Sequence, residues 1–167
     1  MLGRYDDALR SRRNAYSGYV KLLGKEHEFS LVAASNYAFT LINLQRFEES
    51  KTLLREMMPV ARRVLGENNS LTLKMRRAYG EALYKDPGAT LDDLREAVET
   101  LEDAERIARR VLGGAHPVTT GIEEDLRVAR AALRARGGSF QRASEEKLRM
   151  RRVVSVADRF RRSAGDK

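Results

Sequence analysis

The chain has no cysteine, and just three prolines in 167 residues. Without cysteine there is no disulfide framework and no thiolate zinc or redox centre, which fits a reducing compartment. No apolar run reaches the roughly 18 residues that a membrane span requires. The start, Met1-Leu2-Gly3-Arg4-Tyr5-Asp6-Asp7, lacks the apolar stretch of a secretory signal, so the cytoplasm is the expected location. No glycine-rich phosphate loop, metal-ligand spacing or nucleophile–base pairing is present, so no catalytic residue, metal or cofactor is expected.

Net charge is also nearly missing from most of the chain. Residues 1–133 carry 21 Lys and Arg against 20 Asp and Glu, while residues 134–162 carry 10 against 3. The overall excess of +8 therefore belongs to the C-terminal segment and is no nucleic-acid signature of the whole. Lys147-Leu148-Arg149-Met150-Arg151-Arg152 is basic with apolar interleaving, which reads first as a solvated, partly helical end; the alternative is a module that binds nucleic acid or an anionic surface, through this tail alone.

What is present is repetition. Ala61-Arg62-Arg63-Val64-Leu65-Gly66 recurs letter for letter at Ala108–Gly113, and Val20-Lys21-Leu22-Leu23-Gly24 is a weaker copy. The Leu-Gly pairs are 42 and then 47 residues apart, a period that marks stacked supersecondary units. Glycine and proline fall between segments rich in Ala, Leu, Arg and Glu, which predicts helices over 5–23, 29–44, 47–65, 70–84, 91–112, 117–135 and 140–161.

Two helix types alternate. Leu31, Ala34, Tyr37, Ala38, Leu41 and Ile42 mark the first, and Phe47, Leu53, Leu54, Met57, Val60, Ala61, Val64 and Leu65 the wide apolar stripe of the second. Asn69 is placed to cap one helix, Thr90 with Asp93 to form a capping box, and Pro117 to follow His116 at a helix start. Gly24, Gly66 and Gly113 fall where left-handed C-terminal caps are needed. Asp6/Asp7, Glu48/Glu49 and Asp92/Asp93 sit in first turns and Arg62/Arg63 and Arg109/Arg110 in last turns, so the helix dipole explains them without catalysis. His27 and His116 are 89 apart, one register position two units on, and share a loop role. Pro59 predicts a kink or a loosened turn.

The runs Ser30–Ala38, Leu44–Ser50 and Val64–Asn69, with Gly3-Arg4-Tyr5-Asp6-Asp7-Ala8-Leu9 and Leu112–Thr119, resemble the tetratricopeptide repeat in the 42-residue form of kinesin light chains. The resemblance implies an all-α fold, a right-handed α-solenoid of antiparallel helix pairs. It spans residues 1–135: a half repeat 1–24, repeats 25–66 and 67–113, and a partial repeat 114–135. Residues 136–167 are then a basic, partly helical tail or a degenerate repeat helix. Small positions follow the same register: Ala38 and Gly80 on the first helix, and Ala8, Ser50 and Ala97 on the second, with Ala15 and Ala104 further along. Met57 stands where alanine is usual, and Arg127 takes the small position of the last first-type helix. Lys85-Asp86-Pro87-Gly88-Ala89 is a five-residue insertion. Residues 5–23 form a second-type helix without its partner, which suggests a fragment of a longer array.

The family also implies a function, a protein–protein interaction scaffold whose first-type helices line a peptide-binding groove. Carried over by register, the inward residues are Val32, Ser35, Asn36, Phe39 and Asn43, then Lys74, Arg77, Ala78 and Glu81. Asn36 matches an asparagine that holds a peptide backbone, and its carboxamide can donate and accept. Arg77 offers a fork for a carboxylate, so acidic segments are the favoured ligands.

Overall fold

The computed structural model describes residues 2–138, with side chains from Asp7 onward; the expected helix 140–161 and most of the basic tail lie outside the described residues. Among the described residues six helices follow one another: α1 (Leu2–Leu23), α2 (Glu28–Asn43), α3 (Phe47–Leu65), α4 (Ser70–Lys85), α5 (Leu91–Leu112), and α6, which runs from 117 to the last described residue, 138. No strand occurs among the described residues. The chain divides into two units, of which Met1–Ala132 is the first and holds nearly all the described residues.

The helix ends follow from their capping residues. The Asn69 side chain accepts from the Leu71 amide at 2.8 Å. Thr90 and Asp93 form a reciprocal capping box. The histidines act alike: Nδ1 of His27 accepts from the Phe29 amide at 3.2 Å and Nδ1 of His116 from that of Val118 at 3.1 Å. Their shared place is therefore an N-cap, which uses an imidazole where Ser or Asp is commoner. Gly24, Gly66 and Gly113 have φ of 85, 87 and 88°. At Gly66 and Gly113, however, ψ is 162 and 159°, so the backbone is extended rather than left-handed helical. That region is open almost to glycine alone. Pro59 causes no break: α3 runs through it, with the ring exposed.

Within Met1–Ala132 each helix from α1 to α5 packs on the next, and α2 also touches α4. The backbones of the second-type helices α1, α3 and α5 do not approach one another closely, and side chains such as Tyr16 and Met57 span the gap between α1 and α3. A stack with its first-type helices in contact and its second-type helices apart curves toward the first-type side. Small residues permit the close crossings. Ser50 Oγ donates to the Ala38 carbonyl at 3.2 Å, and a Cβ on Gly80 would lie 2.6 Å from Leu101 Cγ. Met57 is fully buried and accepts a contact from Tyr16 Oη at 3.5 Å. The larger residue fills space between α3 and α1 that alanine would leave open.

The repeated arginines tie the end of each unit back to its own start. Arg63 pairs with Glu26, and Arg110, 47 residues on, donates to Asn68, 42 residues beyond Glu26. One contact is thus made twice in register. The inserted loop is anchored rather than loose. Asp86 accepts from buried Lys51 at 2.9 Å, its other oxygen accepts from the Gly88 amide at 2.8 Å, and Ala89 is buried. Burial works against the Lys51 ammonium, but hydrogen bonds and charge from Glu48 and Asp86 outweigh it and raise its pKa. The hydrogen bond from Lys51 is the main cause that holds Asp86 below its ordinary value of 3.8.

Candidate ligand-binding groove

Helix α2 is covered by α1, α3 and α4, so one narrow stripe of it stays open. Val32, Asn36 and Asn43 are exposed and Phe39 is half-buried, a spacing of four, three and four that keeps them on one helical face. The Asn36 carbonyl accepts from Thr40 Oγ1 at 2.9 Å, but its carboxamide has no partner among the described residues, and neither has that of Asn43. Ser35, expected in the groove, is buried at 3% exposure. It lies one residue off the open stripe, on the side that packs against neighbouring helices.

Helix α4 behaves differently because it lies between α2 and α6. Ala78 is fully buried and Glu81 is 8% exposed, so neither is open to a ligand. Glu81 also pairs with Lys85 one turn on. The expected carboxylate fork on Arg77 is already filled: its Nε lies 2.5 Å from Asp125 of α6, whose side chain is 8% exposed. Tyr84 Oη donates to the second oxygen of Asp125 at 2.9 Å. Burial, then the Asp125 charge, pushes the Tyr84 phenol far above its ordinary range, which keeps it a proton donor. Gly121 makes room for this arrangement, since a Cβ there would meet the Arg77 guanidinium at 2.3 Å. Lys74 is exposed and makes no ion pair among the described residues.

The face between successive second-type helices is also charged, but its charges are matched. A hollow of about 310 Å³ between α3, α4 and α5 holds Arg55, Arg62, Arg76, Tyr79 and Glu96. Arg55 donates to Tyr79 Oη at 2.9 Å, and Tyr79 donates to Glu96 at 2.7 Å. Arg62 pairs with Glu67, and Arg76 lies 3.5 Å from Glu67 and 3.6 Å from Asp103. Three guanidiniums with partners make no open anion site. Among the described residues no group of three or more His, Asp or Glu is placed to hold a metal.

Reading the sequence alone missed Asp125, Tyr84 and Gly121. Asp125 stands 47 residues after Ala78 and 89 after Asn36, so the register itself points to it. Arg127 has left the small position's role: it is exposed and pairs with Glu124. A second hollow, of about 230 Å³, opens between α1 and α2 and was not foreseen; Arg12, Ala15, Tyr19, Phe29, Val32 and Asn36 line it.

Residues 30–71 match a protein-family pattern described as a tetratricopeptide repeat. The match takes in most of α2, all of α3 and the start of α4, one full helix pair with its connections. No curated protein matches the chain.

Proposed function

We propose that this chain, a tetratricopeptide repeat protein, holds an extended peptide along the open stripe of α2. Tetratricopeptide repeats are non-catalytic scaffolds that mediate protein–protein interactions; the groove, its ligand and the residues that read it are the proposed part. The observation that carries the reading is the pair of exposed, unpartnered carboxamides at Asn36 and Asn43 beside Val32 and half-buried Phe39. Each carboxamide can satisfy both groups of a peptide unit, while the two apolar residues offer a surface for its side chains. Lys74 is the cation left to attract an acidic residue, because Arg77 is engaged by Asp125. The 42-residue step from Gly24 to Gly66 supports a kinesin light chain-like subtype, and the cysteine-free composition supports a cytoplasmic setting.

A peptide array followed by anisotropy titration tests this. Two hydrogen bonds of about 1 kcal/mol each are at stake, so Asn36→Ala with Asn43→Ala should weaken binding at least about tenfold. Lys74→Glu should weaken acidic peptides selectively. Affinity unchanged in the double asparagine variant sinks the groove assignment.

A further inference from the structure

One face of α1 is bare where its register counterparts are sealed. Ala8, Arg12, Ala15 and Tyr19 stand 42 residues before Ser50, Leu54, Met57 and Ala61, which stand 47 before Ala97, Leu101, Ala104 and Ala108. All eight later residues have 0% exposure. Ala8, Arg12 and Ala15 are exposed, and Tyr19 is 41% exposed. On α2 the adjoining Phe29 and Val32 are 57% and 39% exposed, and the hollow of about 230 Å³ lies between the two helices. Tyr19 and Phe29 lean together, with ring centroids 5.9 Å apart.

The rest of the chain shows what covers such a face. On α3 it is α2, with Ala38 over Ser50, and on α5 it is α4, with Gly80 against Leu101. The bare face of α1 therefore has the shape that takes a first-type helix with a small residue at the crossing. One feature sets it apart: Arg12 occupies the place of Leu54 and Leu101, and has no ion pair among the described residues. Covering that guanidinium without a carboxylate would strand a charge away from water.

We propose that the α1 face docks an amphipathic helix of a partner protein, one that brings a carboxylate at its small position opposite Arg12. Charge decides the occupant. A second copy docking by the same patch would set one arginine-bearing face on another. The C-terminal segment 134–162, with 10 basic residues against 3 acidic, would add positive charge to positive. A helix carrying an acid satisfies Arg12, while its apolar side lies on Ala15, Tyr19 and Phe29.

Two synthetic peptides serve as probes: residues 28–43 of this chain, which already fit the equivalent face of α3, and the same peptide with Ala38→Asp. Both are titrated against the full chain by fluorescence polarisation, and circular dichroism melts verify that each variant is folded. The aspartate peptide should bind the unaltered chain at least tenfold more tightly than the unmodified peptide. Arg12→Leu should reverse that order, and Tyr19→Glu should abolish both. Failure of both peptides to bind, or an order that ignores residue 12, overturns the proposal. So does binding that falls with Asn43→Ala plus Lys74→Glu as much as with Tyr19→Glu, since the peptide would then lie in the groove. Sedimentation tests for self-association: a dimer of the unaltered chain that Tyr19→Glu dissociates would mean that a second copy fills the face.

Discussion

Helix pairs α2–α3 and α4–α5 share a scaffold yet treat their inner faces in opposite ways. The packing positions agree in kind: Ala38 and Gly80 are small, and Leu54 and Leu101 are fully buried. The inner positions diverge. On α2 the register holds Asn36 with its carboxamide free, and on α4 it holds buried Ala78, while Arg77 beside it is taken up by Asp125 of α6. The difference teaches that a repeat's ligand-facing residues are set by what the next helix consumes. Apolar positions are constrained by packing against both neighbours, so they persist. Polar inner positions are free to serve either a ligand or the next unit, and in α4 they serve the next unit. The bare face of α1 extends the comparison to a third copy of the same register.

The largest effect is expected at the position shared by Arg12, Leu54 and Leu101. Leu101→Ala removes a fully buried side chain packed on Gly80 and should cost about 3 kcal/mol, within the usual span for such cavities. Arg12→Ala in the same register should change stability by less than about 0.5 kcal/mol, as exposed substitutions do. Urea unfolding measures both. Equal losses would mean that the α1 face is sealed in the isolated chain.

Next comes the contrast between consumed and free inner residues. Arg77→Met leaves the buried Asp125 carboxylate with Tyr84 alone and should cost about 2 kcal/mol, less than for a wholly buried pair because Arg77 is partly exposed. Adding Asp125→Leu should recover most of it, since the stranded charge is then gone. Asn36→Ala should leave the melting temperature within a degree or two. A large drop there would mean that Asn36 is structural, and the contrast between the helices would collapse.

A smaller effect separates the two connections. The inserted loop after α4 is held by Lys51 and Asp86, an anchor that the short α2–α3 connection lacks. Asp86→Asn should cost about 1 to 2 kcal/mol at neutral pH, the worth of a hydrogen bond to a charged group. The pH dependence has a definite sign. The Asp86 pKa is lowered on folding, so its contribution is full above the ordinary carboxylate value and disappears as pH falls through the depressed one. The Lys51 pKa is raised, so its share is full below the ordinary lysine value and is lost as alkaline pH passes the raised one. Melts from pH 7 to pH 2 should therefore bring the Asp86→Asn variant and the unaltered chain together at the acid end. A gap that persists at low pH would place the cost elsewhere in the loop.

Most of the helix boundaries and the repeat register were legible in the sequence because they rest on local signals: glycine after the helix, Asn69 and Thr90 before it, and apolar spacing along it. Even there α1 begins a turn early, at Leu2, because nothing in Leu2-Gly3-Arg4 forbids a helix. The groove was legible on α2 and misleading on α4. Ser35 and Glu81 were chosen by register, but their burial depends on how three neighbouring helices crowd one stripe. Arg77 looked open because its partner lies 48 residues ahead, at a distance that no periodicity within one helix reveals. The hollow at α1 was hidden for the converse reason: an exposed alanine and a buried one are the same letter.

The smallest effect probes how α2 turns into α3. The joint is a complete Schellman arrangement: the Arg46 amide donates to the Leu41 carbonyl at 2.8 Å and the Gln45 amide to that of Ile42 at 2.9 Å. It places Gln45 at φ 59°, the one non-glycine residue with positive φ among those described. The connection from α4 to α5 escapes this demand, because its extra residues turn the chain with Asp86 in an extended conformation at φ −63°. A left-handed residue with a Cβ costs about 1 to 2 kcal/mol. Glycine removes that strain but returns roughly 0.5 to 1 kcal/mol through the greater freedom of the unfolded chain. Gln45→Gly should therefore gain about 0.5 to 1 kcal/mol, while Gln45→Val should lose a similar amount, because branching at Cβ makes the left-handed region still less accessible. Guanidinium unfolding of the two variants settles the order. A stabilising valine would show that the glutamine side chain, rather than the backbone strain, governs this joint.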